Sequence, residues 1–206
     1  MKNSKIGFIG GGNMARSLIG GLLASGLNKA NLSVADPTAA QRDELAKDFG
    51  INTTADNQQI VDQCDVIVLA VKPQVMKAVT TQLDIHQAGT KLFVSIAAGI
   101  RSSAIQKWLG DNVPVVRTMP NTPSLVQSGA AGLYASKEVT DRQRDQAESI
   151  LRAVGLTLWV DTEAQLDAVT ALSGSGPAYF YLVMEAMEKA AAQLGLAPEK
   201  HSRTGN

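Results

Sequence analysis

This sequence predicts a doubly wound parallel α/β sheet of the Rossmann type, followed by an all-helical domain. Three observations predict it. Apolar, β-branched runs alternate with helical stretches over the first 120 or so residues. The first run turns sharply on glycines, Ile6-Gly7-Phe8-Ile9-Gly10-Gly11-Gly12-Asn13-Met14-Ala15, and enters an amphipathic stretch. From Glu163 onward the pattern is helical, rich in Ala, Met and Leu.

The elements follow in order. Residues 5–9 read as a strand and 14–25 as a helix. Residues 32–35 form a second strand and 39–49 a second helix. A short strand over 51–53 precedes a helix over 57–64. Val66-Ile67-Val68-Leu69-Ala70-Val71 is apolar without alternation, as in a strand buried on both faces of a parallel sheet. Pro73 opens the next helix, where its missing N–H costs little. Residues 91–95 are a strand, 102–109 a helix and 113–118 a sixth strand. Short connections imply right-handed crossovers. Residues 131–134 and 156–160 read as strands flanking a helix over 141–153, with Thr140 as N-cap and Gly155 as its stop. They are expected to extend the sheet as a hairpin. A helix over 164–172, a break at Ser173-Gly174-Ser175-Gly176-Pro177 and a long helix over 178–194 follow. The domain boundary is placed between residues 162 and 163, giving a dinucleotide-binding domain over 1–162 and a helical domain over 163–206.

The long helix carries Phe180, Leu182, Val183, Met184, Met187 and Leu194 almost all round its surface. Such a helix is expected to be buried on several sides. The polar residues after Gly195 cannot cover it, so a second subunit is expected to. The final six residues lack apolar periodicity and read as a loose end.

The chain has 206 residues, formal net charge zero and one cysteine, Cys64. There is no basic excess to attract nucleic acid or an anionic membrane. No stretch approaches the roughly 20 apolar residues of a membrane span. A lone cysteine and the absence of a signal pattern suit a soluble, cytoplasmic protein. Cys64 itself reads as a small buried apolar residue.

The glycine turn carries the first chemistry. Gly10 permits a tight turn, Gly12 lets a pyrophosphate approach the backbone, and the small Ala15 allows close helix–strand packing. The helix N-terminus at Asn13 and Met14 would face the phosphates. In an open parallel sheet, ligands bind beyond the carboxyl ends of the strands. Those ends are Gly10–Asn13, Asp36-Pro37-Thr38, Val71-Lys72-Pro73-Gln74, Ala97-Ala98-Gly99 and Met119-Pro120-Asn121-Thr122-Pro123. Asp36 lies where a carboxylate would hold the ribose hydroxyls of NAD and repel the 2′-phosphate of NADP. Thr38 and Arg42 would offset that by donating to a phosphate, so NADH and NADPH both stay open. Asp56 and Asn57 serve equally as N-caps or adenosine contacts.

No Ser-His-Asp set or metal-ligand cluster stands out, and no metal is expected. His86 lies in a polar stretch and His201 in the tail, so neither is a persuasive acid or base. A protonated imine is electrophilic as bound and needs chiefly to be positioned against a hydride donor. That favours C=N reduction over alcohol oxidation, which needs a base.

Five motifs together resemble the pyrroline-5-carboxylate reductase family: Ile6 to Ala15, Ala70-Val71-Lys72-Pro73-Gln74, Ser95-Ile96-Ala97-Ala98-Gly99-Ile100, Met119 to Pro123, and Leu172-Ser173-Gly174-Ser175-Gly176-Pro177-Ala178-Tyr179. The resemblance runs from Lys5 to about Leu196. It implies NAD(P)H-dependent reduction of 1-pyrroline-5-carboxylate to L-proline, and a homodimer or higher homo-oligomer built through the C-terminal helices. By the same resemblance Phe8, Ile9, Gly10, Gly11, Gly12, Asn13 and Met14 would bind the pyrophosphate. Asp36 and Thr38 would lie at the ribose and Asn57 beside the adenosine. Ala70, Val71, Lys72 and Pro73, with Ala97, Ala98 and Gly99, would line the cofactor groove. Asn121, Thr122, Glu163 and Ser175 would form the reaction side. Members of the family continue into further helices with a Ser-Pro-Gly-Gly-Thr-Thr-like substrate loop. The helical domain here is therefore read as truncated, with catalysis at risk. Two alternatives accompany this reading. One is a nucleotide-binding module without turnover. The other is a related imine reductase or β-hydroxyacid dehydrogenase, with Lys189 as its catalytic lysine.

Overall fold

The computed structural model describes residues 4–85 and 91–195. His86, His201 and the tail from residue 196 lie outside the described residues. The strands are β1 (Ile6–Ile9), β2 (Leu32–Ala35), β3 (Asn52–Thr54), β4 (Val66–Leu69), β5 (Leu92–Ser95), β6 (Val115–Met119), β7 (Gly129–Ala135) and β8 (Gly155–Trp159). The helices are α1 (Asn13–Ala24), α2 (Ala39–Phe49), α3 (Asn57–Gln63), α4 (Pro73–Thr80), α5 (Ser102–Leu109), α6 (Asp141–Arg152), α7 (Gln165–Val169) and α8 (Gly176–Gln193). One sheet runs in the order β3-β2-β1-β4-β5-β6-β7-β8. Strands β1 to β6 are parallel, in the doubly wound arrangement expected from the sequence.

Strand side chains alternate between faces, so an apolar run supplies two cores at once. Ile6, Phe8, Val66 and Val68 point to one face, beneath Leu18, Ile19 and Leu22 of α1 and Ile150 and Leu151 of α6. Ile9, Ile67, Leu69 and Phe93 point to the other, beneath Ile60 of α3, Met76 of α4 and Ile105 of α5. Each such side chain contributes about 1.5–3 kcal/mol by leaving water. Glycine is needed where helix and strand nearly touch: a Cβ on Gly7 would lie 2.3 Å from Ile60 Cγ2. Helix α6 begins as expected, with Thr140 and Gln143 forming a reciprocal capping box.

The extension past β6 differs from the expected hairpin. The antiparallel step lies between β6 and β7, while β7 and β8 are parallel and joined through α6. A helix between two strands favours a crossover, because it must pack back on the sheet face. Gly155 likewise does not stop α6, which closes on Ala153; it opens β8, where a Cβ would lie 2.0 Å from the Gly129 carbonyl oxygen.

The expected break at residues 173–177 is a second difference. The chain stays helical through it by widening into a π turn over Thr170–Gly174, with Ser175 N–H donating to the Thr170 carbonyl at 2.8 Å. Pro177 follows in the first turn of α8; with a helical turn ahead of it, its missing N–H leaves the Ser173 carbonyl without a donor from that position.

Helix α7 packs on the sheet, with Leu166 fully buried and Val169 against Gly132. Helix α8 buries no residue: Tyr179, Phe180, Leu182, Met184 and Met187 are exposed. Among the described residues, then, the all-round apolar helix lacks the cover its composition asks for. On β8, Leu156 and Leu158 are also exposed. No helix of the described residues is long and apolar enough to cross a membrane.

Candidate functional site

Strand order reverses between β1 and β4, since β2 and β3 lie on one side of β1 while β4 to β6 lie on the other. Such a switch point leaves a crevice at the carboxyl ends of the strands. The glycine turn sits there. Gly10 N–H donates to the Ala35 carbonyl at 2.8 Å, and Ala70 N–H donates to the Ile9 carbonyl at 2.8 Å. Gly10 has φ +100°, and a Cβ on it would lie 2.6 Å from the Ala70 oxygen. The ends of β1, β2 and β4 thus close on one another around glycine.

Gly12 is the N-cap of α1 and offers no side-chain cap. A Cβ built on Gly12 would meet nothing within 4 Å. The first turn of α1 therefore has no capping oxygen, and the space beside Gly12 is open. That arrangement fits a pyrophosphate, which supplies the missing acceptors and the charge the helix dipole favours.

Asp36, at the end of β2, is committed within the chain. Its Oδ2 accepts from Gly11 N–H at 2.9 Å and its Oδ1 from Thr38 N–H at 2.9 Å. Gln41 Nε2 donates to the Gly11 carbonyl at 2.6 Å, so both polar groups of Gly11 are tied to the β2–α2 corner. Arg42 Nη1 donates to the carbonyls of Asp36 and Pro37, at 2.8 and 3.0 Å. Thr38 is the exposed N-cap of α2, and its hydroxyl makes no cap bond. At α3, Asp56 takes the cap by accepting from Gln58 N–H at 2.8 Å. Asn57 is left in the first turn, half-buried, with no side-chain hydrogen bond among the described residues.

The remaining ends line the same edge. Lys72 is the exposed N-cap of α4, ahead of Pro73. Ala97 is buried and Gly99 turns at φ +75°. Asn121 is buried, with Oδ1 accepting from Ala130 N–H at 2.9 Å and Nδ2 donating to the Ser173 carbonyl at 3.1 Å. The turn after β6 and the entry of α8 are thereby brought together. Thr122 and Ser175 are exposed beside that contact.

Glu163 is held differently. Its carboxylate accepts from Ser102 N–H at 2.6 Å and Ser102 Oγ at 3.0 Å, closing the N-terminus of α5. Arg117 of β6, buried to 4 % exposure, reaches Glu163 at 3.3 Å and Asp167 at 3.6 Å. These residues, with Arg101 and Ala164, line a small cavity. Sequence reasoning passed over Arg117 and Ser102. The available signal was an arginine inside the apolar strand Val115-Val116-Arg117, which cannot be buried without a carboxylate. Lys189 is ion-paired with Glu185 at 2.5 Å on the exposed face of α8.

The fold and the open glycine turn define an NAD(P)-dependent oxidoreductase of the Rossmann type. Residues 5–99 match the family described as NADP oxidoreductase coenzyme F420-dependent, and residues 163–204 match Pyrroline-5-carboxylate reductase dimerisation. The chain is 52% identical over 203 residues to the pyrroline-5-carboxylate reductase of Pseudomonas aeruginosa, covering 98% of this chain and 74% of that one. A solved structure of a pyrroline-5-carboxylate reductase from Coxiella burnetii superposes with TM-score 0.89 at 48% identity, covering 95% of this chain and 73% of that one. That of the Plasmodium falciparum pyrroline carboxylate reductase, solved with NADP bound, gives 0.85 at 31% identity, covering 97% and 73%. The chain belongs to the pyrroline-5-carboxylate reductase family.

Proposed function

We propose that this chain reduces the C=N bond of 1-pyrroline-5-carboxylate to give L-proline, using NADPH or NADH. The observation that carries the reading is the uncapped N-terminus of α1 above Gly12, set at the switch point of a family-matched sheet. The reduced nicotinamide, when bound, supplies the hydride. Residues Phe8 to Met14 hold the pyrophosphate with backbone N–H groups. Asp36 shapes the turn with Arg42 bracing its backbone, while the Thr38 hydroxyl, which makes no cap bond, is presented at the ribose end. Asn57 borders the adenosine. Ala70 to Pro73 and Ala97 to Gly99 form the groove walls, and the small Ala70, Ala97, Ala98 and Gly99 leave room for a flat ring to lie against the strand ends. Thr122 and Ser175 face the reacting centre and donate hydrogen bonds. Asn121 supports them through the Ser173 carbonyl, and Glu163 stands at the domain junction, where it anchors Arg117 and the start of α5. No general base is required, because the imine carbon is already electrophilic when protonated.

The dinucleotide-binding domain is assigned to residues 1–162 and the helical domain to residues from 163. The exposed apolar surface of α8 suits burial against a second copy, giving a homodimer or larger homo-oligomer. The cytoplasm is the proposed location, where the reduced cofactor is available.

The test is calorimetry with NADPH and NADH beside an assay of imine-dependent nucleotide oxidation. Binding with turnover is the expected result. Binding without turnover would favour a nucleotide-binding module instead. Failure to bind either nucleotide would overturn the reading.

A further inference from the structure

Pro177 lacks an N–H, so the carbonyl four residues earlier, that of Ser173, loses its helical donor. A carbonyl left bare at a half-buried position carries a desolvation penalty. The structure fills the vacancy from far along the chain: Asn121 Nδ2 donates to the Ser173 oxygen at 3.1 Å. Asn121 is itself fixed, 8 % exposed, with Oδ1 accepting from Ala130 N–H at 2.9 Å. The contact is tight on both sides. A Cβ on the neighbouring Gly174 would lie 2.7 Å from Met119 Cε. One amide therefore joins β7, the turn after β6 and the π turn that leads into α8.

We infer that Asn121 is a positioning residue, whose side chain stands in for the N–H missing at Pro177 and seats the helix entry at Ser175 on the cofactor-side turn. The inference rests on the proposed site for its functional meaning, and on the Asn121–Ser173 bond for its geometry. Asn121 acts through Ser173 rather than by touching the reacting atoms. A displacement of about 1 Å between the two sides of a site lowers turnover up to about a hundredfold.

The experiment is a double-mutant cycle in the full chain. Asn121→Ala removes the donor to the Ser173 carbonyl and, equally in both backgrounds, the acceptor for Ala130 N–H. Pro177→Ala returns an N–H to that carbonyl. Asn121→Ala alone is expected to lower Tm by about 3 °C or more. It should lower kcat for imine reduction by about tenfold or more, with the Kd for NADPH kept within about twofold. In the Pro177→Ala background the Tm loss should be clearly smaller, the signature of a shared partner. Equal Tm losses in both backgrounds overturn the inference, whether or not the chain turns over. So does a fall in NADPH affinity that accounts for the whole loss of activity, because Asn121 would then be a nucleotide contact. If the unmodified chain neither binds nucleotide nor reduces the imine, the proposed function fails, while the thermal cycle still decides the Asn121–Ser173 link.

Discussion

Arg117 and Glu163 lie 46 positions apart and meet at 3.3 Å, where the last parallel strand passes under the start of the helical segment. The pair joins two other duties: Glu163 closes the N-terminus of α5 through Ser102, and Arg117 also reaches Asp167. Removing the carboxylate leaves a guanidinium buried with one exposed, more distant partner. Glu163→Ala is expected to destabilise the fold by about 3 kcal/mol, and the paired change Arg117→Met with Glu163→Gln by clearly less. Urea denaturation of the two variants checks this; equal losses would mean the ion pair is not what holds α7 to the sheet.

Two glycines of the same turn should separate fold from ligand. Gly10→Ala forces a side chain onto φ +100° and within 2.6 Å of the Ala70 oxygen, so it should cost about 2 kcal/mol or more. Gly12→Ala meets open space and should change stability by less than about 1 kcal/mol. Yet it should weaken NADPH binding by about tenfold or more, since its methyl group stands where the pyrophosphate approaches. Thermal melts beside calorimetry measure both. An unweakened Gly12→Ala would move the nucleotide away from this turn.

Asp36→Ser should raise the NADPH-to-NADH affinity ratio, because a carboxylate repels the 2′-phosphate. The internal bonds of Asp36 add a consequence. Gly11 and Thr38 lose a shared acceptor, so affinity for both nucleotides should fall together, by about threefold to tenfold. Titrating the variant with each nucleotide reads the ratio and the common loss separately.

Glu148 titrates low, first because Trp159 Nε1 donates to it at 2.9 Å, with further help from Thr157 and Arg152 against the opposing effect of burial. A carboxylate whose pKa is depressed in the folded state contributes stability above its unfolded pKa. That stability is lost as pH falls through the folded value. Trp159→Phe should therefore lower stability at pH 7 by about 1 kcal/mol and leave it nearly unchanged at pH 2. Chemical denaturation at the two pH values tests the sign. A loss equal at both would point to packing, including the Arg144 guanidinium 4.1 Å from the indole.

Cys64 is held by burial at a pKa of about 11, the nearby Lys91 offsetting only part of the shift. At pH 8 the native thiol should resist iodoacetamide, while the urea-unfolded chain reacts at the rate of a free cysteine. Mass spectrometry of timed samples distinguishes the two.

Much of the fold was legible because its signals are local. Val66 to Leu69 reads as a doubly buried strand from four residues alone, and the bounds of α2 and α5 match the sequence reading to the residue. Thr140 and Gln143 spell out their capping box within one turn. The extension past β6 is not legible locally, because strand direction depends on where α6 packs, which no local pattern records. The run Ser173 to Pro177 looked like a break because it is rich in glycine and proline. It stays helical because Asn121, 52 positions earlier, supplies the bond that proline removes.

The sequence by itself determined the alternation of strand and helix, the glycine turn and the family motifs, since each depends on neighbours a few residues apart. Only the tertiary structure decided that Asp36 is spent on Gly11 and Thr38, that Glu163 answers Arg117, and that Asn121 faces Ser173. Such polar groups must find partners when folding removes water. Which partner each one finds depends on which distant strands and helices the packing brings within about 3 Å.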